Sequence, residues 1–277
     1  MANLLNPLIP NSWASDYGQD QYGLWQALTL KKPPHLIKGQ DKERYGDSSE
    51  VRYVFRWIPA GTFWMGSPDD EKGRHEDEDY HSVTLSKGFW LGETPVTQAL
   101  YEVITGQNPS QFKGDELPVE RVSWDDAQAF IKQMNSLHPD LKVRLPWEAE
   151  WEYACRAGTT TAFNVGNEIS LDLANYRGTW DDKDQWGEGA KQATTPVKSY
   201  PCNAWGLYDM HGNVWEWCKD IWIQHLYNPT ITSLKTHKYT LRGGSWHRSG
   251  RDVRSAVREH GLRYDRYSRI GFRLALI

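Results

Sequence analysis

Two framed ends with an irregular middle, at residues 241–274, constrain this chain more than any other stretch. Arg242-Gly243-Gly244-Ser245-Trp246 joins two glycines, which permit close backbone approach, to a large aromatic anchor. At the far end Ile270-Gly-Phe-Arg-Leu-Ala-Leu-Ile277 alternates apolar with small or polar residues, which predicts a half-buried closing strand. Residues 247–269 between them follow neither a period of 2 nor one of 3.6, and hold no Lys, Gln, Trp or Met and a single Glu, Glu259. A plain surface loop is the ordinary reading of such a segment. Three features favour a recognition loop instead. It lies between two apolar anchors near the end of the sequence. It is rich in Tyr, Arg, Ser, Gly, Asp and His. Its arginines exceed what solubility needs, and Arg makes forked contacts where Lys makes point contacts.

Composition narrows the rest. A chain of 277 residues, 39% hydrophobic, fills one large domain or two small ones. Its net charge of −4 argues against general nucleic-acid binding. No run has the length of a membrane span, and the N-terminus lacks a basic region followed by an apolar core, so the expected location is cytoplasmic, or exported with the leader absent from this sequence. Cys155, Cys202 and Cys218 have no framework spacing and read as reduced thiols. Fifteen tryptophans predict a body packed on indoles.

Residues 1–50 read as an irregular arm, docked through Trp13 and the Tyr22-Gly-Leu-Trp25 stretch. Strand signals follow at residues 51–58, 62–66, 82–85 and 89–91. Between them His75 and His81 flank Glu76, Asp77, Glu78 and Asp79, either a metal site or, by the usual behaviour of charge runs, a solvated acidic loop. A helix over residues 97–105 has Thr94 or Thr97 as its cap and Leu100, Val103 and Ile104 as its apolar face. Ser123 and Asp126 are spaced as a capping box before a second helix striped by Ala127, Phe130, Ile131 and Met134. Residues 143–146 look like a short strand end, and residues 147–155 a third helix stopped by Gly158. Residues 159–201 lack periodicity, and a loop of that length needs a bound ion or aromatic plugs such as Trp180 and Trp186.

Gly206-Leu-Tyr-Asp-Met-His-Gly-Asn-Val-Trp-Glu-Trp217 is the most informative local motif. Asp209 and Glu216, with the carbonyls of Gly212 and Val214, supply hard oxygens of the kind calcium takes. The same residues also suit a tight turn in which Asp209 caps and Glu216 pairs with an arginine.

This motif, Phe55-Arg-Trp-Ile-Pro-Ala-Gly-Thr-Phe-Trp-Met-Gly66, Glu93-Thr-Pro-Val-Thr97, Pro118-Val-Glu-Arg-Val-Ser-Trp124, Arg144-Leu-Pro-Trp-Glu-Ala-Glu-Trp-Glu-Tyr-Ala154, Arg242-Gly-Gly-Ser-Trp246 and Gly271-Phe-Arg-Leu274 occur in one order. Together they resemble the formylglycine-generating enzyme domain, the sulfatase-modifying-factor family. The resemblance implies an α+β, C-type lectin-like fold with little regular secondary structure over residues 51–277, and two structural calcium sites. Asp209, Gly212, Val214 and Glu216 fall on one set of ligand positions. Asn175 and the Tyr176 carbonyl fall on the other, whose remaining Asp aligns near Gly189, leaving Asp182 or Asp184 as substitutes. The family's paired catalytic cysteines, which bind copper, have no counterpart in residues 247–269. Neither Arg nor Ser replaces thiolate chemistry, so copper and that oxidation are not expected.

The same segment resembles the variable region of proteins diversified by retroelements, some of which use this lectin subtype. There, adenine-directed mutagenesis turns template Asn codons into Tyr, Ser, His, Arg, Asp, Gly, Leu and others, but never into Lys, Glu, Gln, Trp or Met. On that resemblance His247, Arg248, Ser249, Gly250, Asp252, His260, Gly261, Leu262, Tyr264, Asp265, Tyr267 and Ser268 form the displayed set. Arg251, Val253, Arg254, Ser255, Ala256, Arg258 and Arg266 form the fixed scaffold. Tyr264 and Tyr267 then supply rigid contact area, and Arg248, Arg263 and Arg269 forked hydrogen bonds, to a protein or other macromolecular ligand. The alternative is a metal-dependent oxidase or sulfatase-maturation-type enzyme of the same family; another metal centre there needs three of His75, His81, His247 and His260 to converge.

Overall fold

Apolar residues alternate with charged ones over β3 (Glu50–Ile58), the central strand of the main sheet in the computed structural model, which describes residues 10–36, 49–181, 185–224 and 237–276. β3 pairs antiparallel with β6 (Phe89–Gly92) on one side and with β2 (Gly23–Lys31) on the other. β1 (Asp16–Asp20) and β11 (Ala275–Leu276) are the outer strands, giving the order β1-β2-β3-β6-β11. β4 (Gly61–Met65) and β5 (His81–Leu85) form a separate hairpin. A four-stranded sheet, β10-β7-β8-β9, carries the C-terminal half: β7 is Trp215–Ile221, β8 Lys238–Arg242, β9 Arg258–Leu262 and β10 Ile270–Gly271.

The helices follow their local signals. Thr97 caps α1 (Gln98–Thr105), its hydroxyl accepting from Leu100 N. Tyr101 joins Leu100 and Ile104 in the core, whereas Val103 is partly buried. Both halves of the capping box form at α2 (Trp124–Leu137): Asp126 N donates to Ser123 Oγ and Ser123 N to Asp126 Oδ2. Its stripe of Ala127, Phe130, Ile131 and Met134 is buried. α3 (Glu148–Arg156) ends at Ala157, φ +46°, one residue before the glycine expected to stop it.

Indoles hold the interior together. Trp151, Trp215 and Trp217 are among its largest fully buried side chains. The main core lies between the two larger sheets, α1 and α2, and joins Phe55, Trp90 and Phe130 to Trp215, Trp217 and Phe272. A satellite cluster of Ala162, Phe163, Ala174, Tyr176 and Val253 lies under the long loop, with Trp180 packed against it. Trp186 stacks on Trp246 at 5.8 Å, so both expected plugs are in place.

Three expectations are corrected. The arm is not irregular: residues 16–31 form a hairpin whose second strand pairs with seven residues of β3, so the 50/51 boundary cuts a continuous sheet. The closing strand is not single or half-buried. It splits into β10, parallel to β7, and β11, antiparallel to β6, and everything from Ile270 to Leu276 is buried because Arg273 turns inward onto Glu216. The acidic run is not simply a solvated loop. Glu78 is fully buried and, with Glu71, holds Arg254. Asp182 and Asp184 lie outside the described residues, as do residues 1–9 of the arm.

Candidate functional site

Residues 247–269 have more structure than their lack of period suggested. A short 3-10 turn covers Gly250–Val253, and β9 pairs residue for residue with β8 from Arg258↔Arg242 to Leu262↔Lys238. Arginines pin the segment from within. Arg254 forks onto Glu78 at 2.6 and 2.9 Å and reaches Glu71 at 2.5 Å. Arg258 forks onto Glu148 at 2.5 and 3.0 Å. Arg242, just upstream, bonds the carbonyls of Ser255, Ala256 and Val257 and pairs with Glu152. Each charge is paired, and apart from Arg242 Nε the other donors are satisfied, the condition for keeping ions in an interior. Val253, Arg254, Ser255, Ala256 and Arg258 of the expected scaffold are accordingly buried. Arg251 donates to the Gly73 carbonyl, and Arg266, although exposed, is clamped onto Asp126.

The expected displayed set divides. Tyr264 and Tyr267 are exposed, at 58% and 44%. His247, Arg248, Asp252, His260, Leu262, Asp265 and Ser268 are partly exposed. Ser249, Gly250 and Gly261 are buried, which corrects their display. A Cβ at Gly261 would lie 2.5 Å from Trp217 Cη2, and one at Gly250 3.2 Å from Trp180. Asp265 closes its own turn by accepting from Leu262 N at 2.8 Å, and the Ser268 carbonyl accepts from Trp246 Nε1 at 3.0 Å. Of the arginines expected to fork onto a ligand, Arg263 forks onto Asp125 instead. Arg248 makes one 3.2 Å contact with Glu259, and Arg269 lies over the Tyr267 ring at 4.6 Å.

A cleft of about 530 Å³ opens where Arg248, Asp252 and His260 meet. Its other walls come from distant sequence: His75, Glu76 and Asp77 from the acidic loop, Trp215 and Trp222 around β7, and Lys238 from β8. Glu259, the one residue at odds with the segment's composition, also lines it. Sequence reading did not place these walls, because the β7–β8–β9 pairing and the Arg254–Glu78 link are what bring them beside the segment. Burial, then Lys238, lowers the pKa of His260; burial, then Arg177, Arg269 and Arg248, lowers that of His247. Both imidazoles are therefore neutral near pH 7 and act as hydrogen-bonding groups rather than charges. His247 stands edge-on to Trp186 and Trp246, at 5.6 and 5.2 Å.

The turn at residues 209–216 holds both carboxylates in place. Asp209, at φ +56°, accepts from Lys198 N at 3.0 Å and lies 3.4 Å from Asn213 Nδ2. Burial pushes its carboxyl up to about 6. Glu216 is forked by Arg273 at 2.6 and 2.7 Å and also accepts from Trp151 Nε1. Asn175 packs on the same turn: its carbonyl accepts from Asn213 N at 2.8 Å, and its buried Oδ1 has no partner. The poorly compensated Asp209 carboxylate and the orphaned Asn175 oxygen suit a hard cation, whereas Glu216 is already neutralised and can only share its remaining lone pairs.

Cys155 and Cys218 are buried and far from nucleophilic, burial pushing the Cys155 thiol up to about 12 and the Cys218 thiol well above its usual value. Among the described residues no three His, Cys, Asp or Glu side chains converge as a metal would need, and no helix is long and apolar enough to cross a membrane.

Known proteins share this architecture. PvdO from Pseudomonas aeruginosa superimposes with a TM-score of 0.70 at 32% identity, over 80% of this chain and 94% of that one. Treponema denticola variable protein 1 does so with a TM-score of 0.67 at 26% identity, over 82% and 95%. The fold is the C-type lectin-like one, with few helices and mostly sheet. The formylglycine-generating enzyme of Mus musculus is 35% identical over 208 residues, which cover 70% of this chain and 53% of that protein, so the chain spans about half the length of that relative. The family description "Sulfatase-modifying factor enzyme 1-like domain" matches residues 48–276, and the chain belongs to that family.

Proposed function

We propose that this protein is a non-catalytic ligand-binding protein, presenting diversified residues of its 247–269 segment on a rigid frame to a protein or other macromolecule. One observation carries the reading. Within one continuous segment, residues 253–258 are locked into the interior, while Arg248, Asp252 and His260 face a cleft and Tyr264 and Tyr267 face solvent. A frame ordered in advance loses little entropy on binding, and exposed side chains change without refolding it. The likeness to Treponema denticola variable protein 1 supports the reading, as does the lack of a cysteine between residues 247 and 269. Calcium belongs to the proposal as a structural ion at Asp209 and the carbonyls of Gly212 and Val214, with Glu216 shared with Arg273. Asn175 and Tyr176 are candidates for a second ion.

The DNA beside the gene tests diversification. The expected finding is a near-copy of codons 247–269 that differs at adenines. A neighbouring sulfatase gene with no such copy overturns the reading in favour of a maturation enzyme. Copper or iron in stoichiometric amount in purified protein does the same for a metal-dependent oxidase.

A further inference from the structure

Two buried N–H donors beside the cleft have no acceptor among the described residues: Trp215 Nε1 and Arg248 Nε. Trp215 is 2% exposed, and the Arg248 guanidinium lies over its ring at 5.8 Å. Leaving a buried donor unpaired costs about 1–3 kcal/mol. Among the described residues the one carboxylate that Arg248 contacts is that of Glu259, through a single 3.2 Å approach, and both side chains are about a third exposed. An ion pair of that kind contributes about 0–1 kcal/mol, so another anion exchanges for Glu259 at small cost.

The His247 side of this corner is positive, although the cleft as a whole holds four carboxylates, Glu76, Asp77, Asp252 and Glu259. Arg248 and Arg269 are near enough to depress each other's neighbour His247, and Arg269, half-buried, has no carboxylate partner among the described residues. Of the acids in the cleft, Asp252 is engaged by Ser249 Oγ at 3.0 Å and by His75 at 3.6 Å. Asp77 lies beside Arg258, which donates to its backbone carbonyl at 3.0 Å, and Glu76 and Lys238 cancel in formal charge.

We propose that this corner is a subsite for a carboxylate group on a polypeptide ligand, which replaces Glu259 as the partner of Arg248 and accepts the Trp215 indole N–H. The inference rests on the ligand-binding reading of this face and names what the face recognises. Glu259 is then an internal occupant that holds Arg248 ready. A carboxylate fits better than a neutral carbonyl because a charged acceptor satisfies both donors, and charge-assisted hydrogen bonds are about twice as strong as neutral ones.

The test is a titration of the ¹⁵N-labelled full chain, followed at the Trp215 indole N–H, whose resonance is identified by its loss in Trp215→Phe. One probe, N-acetyl-alanyl-alanine, carries only a terminal carboxylate. A second, N-acetyl-alanyl-glutamyl-alaninamide, carries only a side-chain carboxylate. Their fully amidated counterparts are the controls. The acid probe of the correct source moves the resonance downfield, and the controls do not. Glu259→Gln, a change at the surface, tightens binding by about three- to tenfold, and Arg248→Leu weakens it by about tenfold or more. Equal binding of acid and amide, no movement with either acid at millimolar concentration, or an affinity unchanged by Glu259→Gln overturns the inference. A chain that fails here while its gene carries the adenine-specific near-copy keeps the display function and loses only this subsite.

Discussion

Arg254 of the C-terminal segment and Glu78 of the acidic loop are fully buried and form a two-pronged ion pair at 2.6 and 2.9 Å across 176 residues of sequence. Ser67 Oγ donates to the same carboxylate, and the carbonyls of Gly73 and Arg251 and the Glu71 carboxylate take the remaining guanidinium donors. Removing Arg254 strands the Glu78 carboxylate in the interior, and removing Glu78 leaves Arg254 with Glu71 as its carboxylate partner. Arg254→Met or Glu78→Gln is expected to lower stability by ~3–5 kcal/mol, and the double variant by less than the sum. Urea denaturation of the three variants reads this directly, and additive losses would refute a coupled pair.

Gly261 and Tyr264 stand three residues apart, the first buried and the second exposed to solvent. Gly261→Ala drives a methyl against Trp217 and is expected to cost about 1–3 kcal/mol. Tyr264→Ala and Tyr267→Ala, at exposed positions, are expected to stay within about 0.5 kcal/mol of the parent. Thermal melts of the single variants suffice. A tolerant Gly261 with intolerant tyrosines would reverse the assignment.

Asp220 gives a pH signature. Burial, then the charge of Glu148, raises its carboxyl to about 6 from an unfolded value of about 3.9. The folded state therefore holds the proton more tightly, and this contribution to stability falls as pH rises from about 4 through 6. Asp220→Asn keeps an oxygen to accept from Glu148 N and removes the penalty. The variant is expected to exceed the parent by about 1–3 kcal/mol at pH 7.5, with the difference closing toward pH 4. A difference independent of pH would point to packing rather than charge.

If calcium binds at Asp209, its addition stabilises the fold by mass action, by about 2.7 kcal/mol at about a hundredfold excess over Kd. Melting in calcium and in a chelator measures the effect, and Asp209→Ala is expected to abolish it. Identical curves for the parent protein in both buffers would remove calcium from the account.

Local signals were legible in the sequence, and distant ones were not. The Ser123–Asp126 box and the α2 stripe are read within a few residues of chain and form as read, and of the two cap candidates Thr94 and Thr97 the second caps α1. The β1–β2 hairpin went unread because β1, Asp-Tyr-Gly-Gln-Asp, is mostly exposed and its Gln21-Tyr22 turn has none of the usual glycine or asparagine pairs. Arg273 in the final strand looked like the polar side of an alternating pattern, and only the position of Glu216 turns it inward. For the site, unusual composition located residues 247–269, yet it could not separate Gly261, sealed against Trp217, from Tyr264 in solvent. Nor could it supply Trp215, Trp222 or His75, which reach the cleft through sheet pairing and through the Arg254–Glu78 link.

Both sheets are completed by the last few residues: β10 closes against β7, and β11 against β6. Residues 247–269 are thus made before the piece that seals the molecule. A nonsense or frameshift mutation anywhere in that stretch deletes the seal along with it, leaving two open edges for cellular proteases. On the proposed reading, every full-length variant then presents its surface on a finished body.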